Sequence, residues 1–314
     1  MDCILHIGTE KTGTTALQEF FARNRSQMAQ HGVLYPVSPG AANHMAMALY
    51  GSDFDSASDL PMMHDVDSAE SLDRFRVSLE QRLISEKEAS GAAVCVFSGE
   101  HCSSRLLQPH EVDRLRDALL RIFDRVRVVV YLRRQDDFYF ALYSTAVKCG
   151  AMQPISLPSA QESRDLLDYH ALLARWYNSF GRENLIIRKF DVDVISDFLE
   201  CTGLSRLAGL PRPGRVNTSL GVKAMEFLLQ INKFLPRVQD GKLNRLRGDI
   251  AEVLERVTDG SRTVWDAAIS SAIMDQVKVS NSQLRSRFSV CSLKVKAIRC
   301  SALENRAIPS RVMR

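Results

Sequence analysis

The residues best placed to do chemistry lie close to the start of the chain, in Gly8-Thr9-Glu10-Lys11-Thr12-Gly13-Thr14-Thr15. One lysine and two threonines sit between two glycines, and two more threonines follow the second. An apolar run, Ile4, Leu5 and Ile7, precedes them, and a helical pattern, Ala16-Leu17-Gln18-Glu19-Phe20-Phe21-Ala22, follows. Strand, glycine-rich turn and helix N-terminus together form an anion site, because backbone N–H groups and the helix dipole converge on one point. Lys11 adds a full charge there, and Thr12, Thr14 and Thr15 add hydroxyls. The expected ligand is a phosphate or a sulfate, and turn chemistry alone does not call for a lysine among the threonines.

Two further strand ends carry polar groups. Arg127 to Leu132 is a continuous apolar, β-branched run that delivers Arg133-Arg134, and a planar guanidinium suits bidentate contact with phosphate. Ala92 to Ser98 is a second buried run, and it delivers Gly99-Glu100-His101. Groups at the carboxyl ends of parallel strands share one crevice.

The nucleoside triphosphate loop has the form G-x-x-x-x-G-K-[ST]. Here Thr14 follows the second glycine, and the lysine stands two residues before it. A triphosphate is therefore disfavoured. The string Lys11-Thr12-Gly13-Thr14-Thr15-Ala16-Leu17-Gln18 after Ile4-Leu5-His6-Ile7-Gly8 resembles the loop of sulfotransferases dependent on 3′-phosphoadenosine 5′-phosphosulfate (PAPS), and the bacterial carbohydrate-type members most. The resemblance covers residues 1–220 well and the rest loosely. It implies a P-loop-type three-layer α/β sandwich, with a central parallel sheet, helices on both faces and a largely helical C-terminal region. It divides the chain into a PAPS-binding core, 1–220, and a helical region, 221–314, packed on it.

The resemblance also implies residue roles. Lys11 would stabilise charge on the leaving nucleotide, while Thr12, Gly13, Thr14 and Thr15 hold its phosphate. Arg133 would begin the 3′-phosphate site. The family's serine eight residues later is Ala141 here, a departure that Ser144 on about the same helical face could make good. Arg215, beside Asn217 and Ser219 at the entry to a late helix, could close over the 3′-phosphate, although helix capping accounts equally for that segment. Residues 275–284 resemble the family's terminal helix. The implied reaction is in-line sulfuryl transfer to an acceptor hydroxyl, on a carbohydrate by resemblance only. Electrostatic preorganisation suffices for it, with no metal required. Two candidates could accept the acceptor's proton, His44 in the loop-rich stretch 36–68 and Glu100 after its strand. His101 would point away from Glu100 in an extended chain. Tyr139, Tyr143 and Lys148 could line the pocket, with core packing the simpler reading of the tyrosines. His6 is expected under the loop, and Trp176 in the core.

These residues need a scaffold of alternating strands and helices. The patterns predict strands at 3–7, 33–36, 92–98, 127–132 and 184–188. They predict helices at 14–30, 45–50, 69–89, 111–123, 135–148, 169–180 and 194–201, a loop at 150–165, and almost wholly helical structure beyond 220. At 314 residues and 45% hydrophobic, the chain can bury a substantial core.

With 41 basic against 37 acidic residues, the net charge of +4 fits an anionic ligand without demanding nucleic acid. No apolar run reaches the roughly 20 residues of a membrane span, and the N-terminus shows no leader pattern. Seven dispersed cysteines without paired spacing suggest neither zinc nor disulfides and suit a reducing cytoplasm. Two rivals remain. A P-loop kinase or NTPase would want Gly-Lys-Ser/Thr and a strand-end aspartate. A nucleotide-binding protein without activity would accommodate Ala141.

Overall fold

The computed structural model describes residues 1–191, 193–214, 221–236, 238–239, 242–257 and 267–288. Five strands form one parallel sheet: β1 Asp2–His6, β2 Val33–Leu34, β3 Val94–Ser98, β4 Arg125–Leu132 and β5 Leu185–Lys189. Their order is β2-β3-β1-β4-β5. After β1 the chain builds β2 and β3 on one side, then crosses to β4 and β5 on the other. The carboxyl end of β1 therefore sits at the switch point, where such sheets open a crevice.

Side chains alternate across the sheet. Cys3, Leu5 and Ile7 face one core together with Val126, Val128, Val130 and Leu132. Ile4 faces the other with Val129, Tyr131, Phe20, Phe21 and Phe198. The first face is covered by the helices Pro109–Ile122 and Tyr169–Phe180, the second by Thr14–Arg23 and Val194–Thr202. This gives the three layers that the alternating pattern predicts. Trp176 is fully buried and stacks on Phe180 at 5.5 Å.

The predicted helix 14–30 is two helices, Thr14–Arg23 and Arg25–Gln30. Asn24 makes the break by turning its amide to the carbonyls of Phe20 (2.7 Å) and Pro211 (2.9 Å). Short polar side chains compete with the helix backbone in this way. Residues 150–165, expected as loop, include the helix Ala160–Glu162 and run into a π-helical turn, Ser163–Leu167, started by a capping box on Ser159. The insert holds two short helices, Ala46–Gly51 and Asp59–Met63.

Beyond 220, the helices Val222–Phe234, Arg245–Val257, Ala267–Gln276 and Lys278–Phe288 dominate, and a two-stranded antiparallel ribbon, 238–239 with 242–243, interrupts them. Val147 packs on Ala224, Met225 and Leu228, and Phe138 packs on Ile273 and Val277. The helix Gln135–Lys148, which follows β4, therefore carries packing contacts to these later helices. Among the described residues, no helix is long and apolar enough to cross a membrane.

Candidate functional site

The loop after β1 is tied down by its own backbone and by β4. Ile7 N–H donates to Val129 O (3.0 Å), Tyr131 N–H to Gly8 O (2.6 Å) and Thr9 N–H to Tyr131 O (3.0 Å), so the β1–β4 ladder continues past the strand. The Thr12 and Thr14 hydroxyls both donate to Thr9 O, at 2.5 and 3.3 Å. Those two hydroxyl protons shape the loop from inside, whereas Thr15 is exposed in the first helical turn.

Two glycines permit the path. Gly8 has φ +93°, and a Cβ there would lie 2.8 Å from the Cβ of Glu100. Gly13 has φ +78°, and a Cβ there would meet Val194 Cγ1 at 2.9 Å. Gly13 is also the N-cap of Thr14–Arg23. Among the described residues no side chain caps that terminus, and its first turn carries no acid. Its leading N–H groups therefore keep their capacity for an anion. Backbone and helix end fit the phosphate or sulfate read from the sequence.

Lys11, at the loop tip, adopts the left-handed region with φ 57°. Burial lowers its pKa from the ordinary lysine value; Lys148 adds to the drop, and Glu10, Cys149 and Glu100 oppose it. Glu10 is anchored separately, accepting from the Ser104 hydroxyl at 2.9 Å.

Arg133 leaves the end of β4 and donates from Nη1 to Lys11 O (3.2 Å), with its guanidinium 5.8 Å from the Phe190 ring centre. The structure thus brings Arg133 to the loop tip. Ser144 is buried on Gln135–Lys148, and Ala141, one turn earlier, is half-buried. Arg215 lies outside the described residues.

The two base candidates separate clearly. His44 is fully buried, with Nε2 3.0 Å from Pro36 O and Nδ1 accepting from Ser98 N–H at 3.2 Å. Burial pushes its pKa down from 6.5 to about 3. Both ring nitrogens are spent on backbone, and Gly99, whose Cβ would lie 2.8 Å from His44 O, closes the contact. In this geometry His44 pins the insert to the end of β3, with both ring nitrogens engaged by backbone groups. His6 is likewise fully buried, with Nδ1 2.8 Å from the Ser98 hydroxyl, and it lies under the loop as expected.

Glu100 sits over Gly8, half-buried, with a carboxylate held by two amides. Gln18 Nε2 donates to Oε2 at 2.7 Å, and Asn43 Nδ2 donates to Oε1 at 3.3 Å. Gln18 also donates to Ser98 O at 3.3 Å. Neither amide was assigned a role from sequence. The signal for Gln18 was available: it is a polar residue among Leu17, Phe20 and Phe21 on a buried helical face. Asn43 gave none, because its partner lies 57 residues away. His101 does not follow in extended conformation. It opens the short helix His101–Arg105, with Glu100 itself in the α region.

Lys11, Arg133 and Glu100 thus come from the ends of the three central strands and meet around one loop. Lys11 and Arg133 can neutralise an anion, and Glu100 can accept a proton beside it. No group of three or more His, Cys, Asp or Glu residues able to hold a metal occurs among the described residues.

No protein-family model matches the chain, and no curated protein matches it either. Among solved structures, the chain is similar to a sulfotransferase from Alicyclobacillus acidocaldarius, with a TM-score of 0.47 and 13% sequence identity over 91% of this chain and 95% of that one.

Proposed function

We propose that this chain is a sulfotransferase that moves a sulfuryl group from PAPS to an acceptor hydroxyl, most simply one on a saccharide. The observation that carries the reading is the juxtaposition of Lys11, in a self-tied glycine loop at an uncapped helix N-terminus, with the Arg133 guanidinium on its carbonyl. The sequence of that loop supports a sulfate donor over a triphosphate.

In this reading Lys11 stabilises the negative charge that develops on the leaving phosphate, aided by the first N–H groups of Thr14–Arg23. Preorganised charge of this kind needs no rearrangement during transfer. Thr12 and Thr14 keep the loop in shape, Gly13 allows the backbone to approach, and Thr15 offers its hydroxyl. Arg133 reads the 3′-phosphate, with Ser144 and Arg215 as its proposed helpers. Glu100 takes the acceptor proton, and Gln18 and Asn43 fix which oxygen faces the acceptor. Asn43 belongs to the insert 36–68, which would therefore help shape the acceptor side. The donor is a substrate, and no resident cofactor or metal is invoked.

Incubation with PAPS and a panel of saccharide, phenol and amine acceptors tests the reading. Acceptor-dependent release of adenosine 3′,5′-bisphosphate is expected. Tight bisphosphate binding with no release across sugar, phenol and amine acceptors would favour the non-catalytic alternative, which Ala141 keeps in view.

A further inference from the structure

The helix Ala69–Ser90 has 22 residues and spans roughly 33 Å at 1.5 Å per residue. One face is spent on the core, where Leu72, Leu79 and Leu83 are buried. Its flanks hold the insert. Glu86 accepts from the Val37 and Ser38 N–H groups, each at 2.7 Å, and Arg76 donates from Nε to Tyr50 O (3.0 Å) and from Nη2 to Ser52 O (2.6 Å). The face opposite the leucines is exposed along its length and is centred on Gln81. With 3.6 residues per turn, Arg74, Val77, Ser78, Ile84, Ser85 and Glu88 all fall within about 60° of Gln81 around the helix axis.

This stripe carries apolar groups in its middle and opposite charges at its ends. Val77 is 58% and Ile84 39% exposed, about one turn on either side of Gln81. A shallow groove opens beside them, lined by Asp73, Arg74, Val77, Ser78 and Gln81. Arg74 lies seven residues before Gln81 and Glu88 seven after it. Asp73 is paired with Arg76 and Glu80 with Arg121, whereas neither Arg74 nor Glu88 makes a salt bridge among the described residues.

The pattern is its own complement when reversed. A second copy of the helix, turned end for end about Gln81, brings Glu88 to Arg74 at both ends, Ile84 to Val77 and Ser85 to Ser78. The two small serines let the helix axes approach closely. A parallel pair would instead set Arg74 against Arg74 and Glu88 against Glu88, which is repulsive.

We infer that this face binds a second copy of the same chain, as a two-fold dimer in which the two Ala69–Ser90 helices run antiparallel and cross at Gln81. The dimer braces the helix that holds the insert and is independent of the donor-site reading. One helix pair is small beside the roughly 800 Å² a side of a standard interface, so the association is reversible and depends on concentration.

Sedimentation of the full chain over a range of concentrations tests this. The wild-type mass should rise from one chain toward two. Ile84→Glu should stay at one chain throughout. Arg74→Glu or Glu88→Arg should each weaken the dimer roughly tenfold, because the two-fold repeats the contact, and the two together should restore it. If Ile84→Glu fails to fold, the charge exchange carries the test. A wild-type chain that stays at one mass at every concentration would overturn the inference. So would a dimer that all three single variants leave intact, because its interface would lie elsewhere. Losses from the two charge reversals that add rather than cancel would overturn the antiparallel pairing.

Discussion

Lys11, Glu100 and His44 show how environment separates residues that look equally reactive in a sequence. Lys11 and Glu100 are half-buried around the loop that follows β1, Lys11 within it and Glu100 over Gly8. His44 is closed off, with a backbone partner on each ring nitrogen. Glu100→Gln should therefore reduce turnover by roughly 10²–10⁴-fold with bisphosphate affinity retained. His44→Gln, which can donate and accept as the ring does, should leave turnover per folded molecule nearly unchanged and lower the melting temperature. Steady-state rates beside thermal melts check both, and the reverse pattern would restore His44 as the base. Lys11→Ala should cost roughly 10²–10³-fold in turnover and far less in nucleotide affinity. Unchanged turnover would remove Lys11 from the mechanism. Arg133→Ala should weaken adenosine 3′,5′-bisphosphate much more than adenosine 5′-phosphate. Equal losses for the two would contradict its assignment to the 3′-phosphate.

At the scale of elements, the loop is a device for close approach. Gly8 lets Glu100 sit directly on it, at a φ that other residues resist. Gly8→Ala should destabilise the fold by about 1–3 kcal/mol through strain and collision, and should reduce turnover more than nucleotide binding because Glu100 is the neighbour displaced. Melts and calorimetry on the one variant separate the two effects. The loop, the strands and Arg133 were legible because glycine spacing and apolar runs are local signals. The break at Asn24 and the turns after Ser159 were not, because each depends on side-chain hydrogen bonds that override a helical or loop-like pattern. The clamp on Glu100 was not read from the sequence: Gln18 is a polar residue on an apolar helical face, a signal that names no partner, and Asn43 acts across a long sequence separation.

For the whole molecule, the later helices dock on the sheet-bearing part through polar pairs as well as through Phe138 and Val147. Gln135 and Asn281 exchange amide contacts in the interior, at 2.6 and 3.4 Å. Asp168 caps Tyr169–Phe180 by accepting from Ala171 N–H (2.9 Å) and also accepts from the Ser280 hydroxyl (2.6 Å). The interior also sets a pH limit. His6 and His44 are both held neutral by burial, with pKa values lowered from 6.5 to about 3. In that window the unfolded chain binds more protons than the folded one, so stability falls as the pH drops through it and is fully present above it. The urea midpoint should fall between about pH 7 and about pH 5, and His44→Gln should make that fall shallower. A midpoint that rose on acidification would contradict the neutral, buried histidines.

The central claim is that the loop after β1 holds a 3′-phosphorylated adenine nucleotide. It is tested most directly by calorimetric titration of the purified protein with adenosine 3′,5′-bisphosphate, beside ATP with magnesium. The account predicts tight binding of the bisphosphate and none of ATP. Tight binding of ATP with magnesium, and none of the bisphosphate, would contradict it and return the loop to the nucleoside triphosphate class.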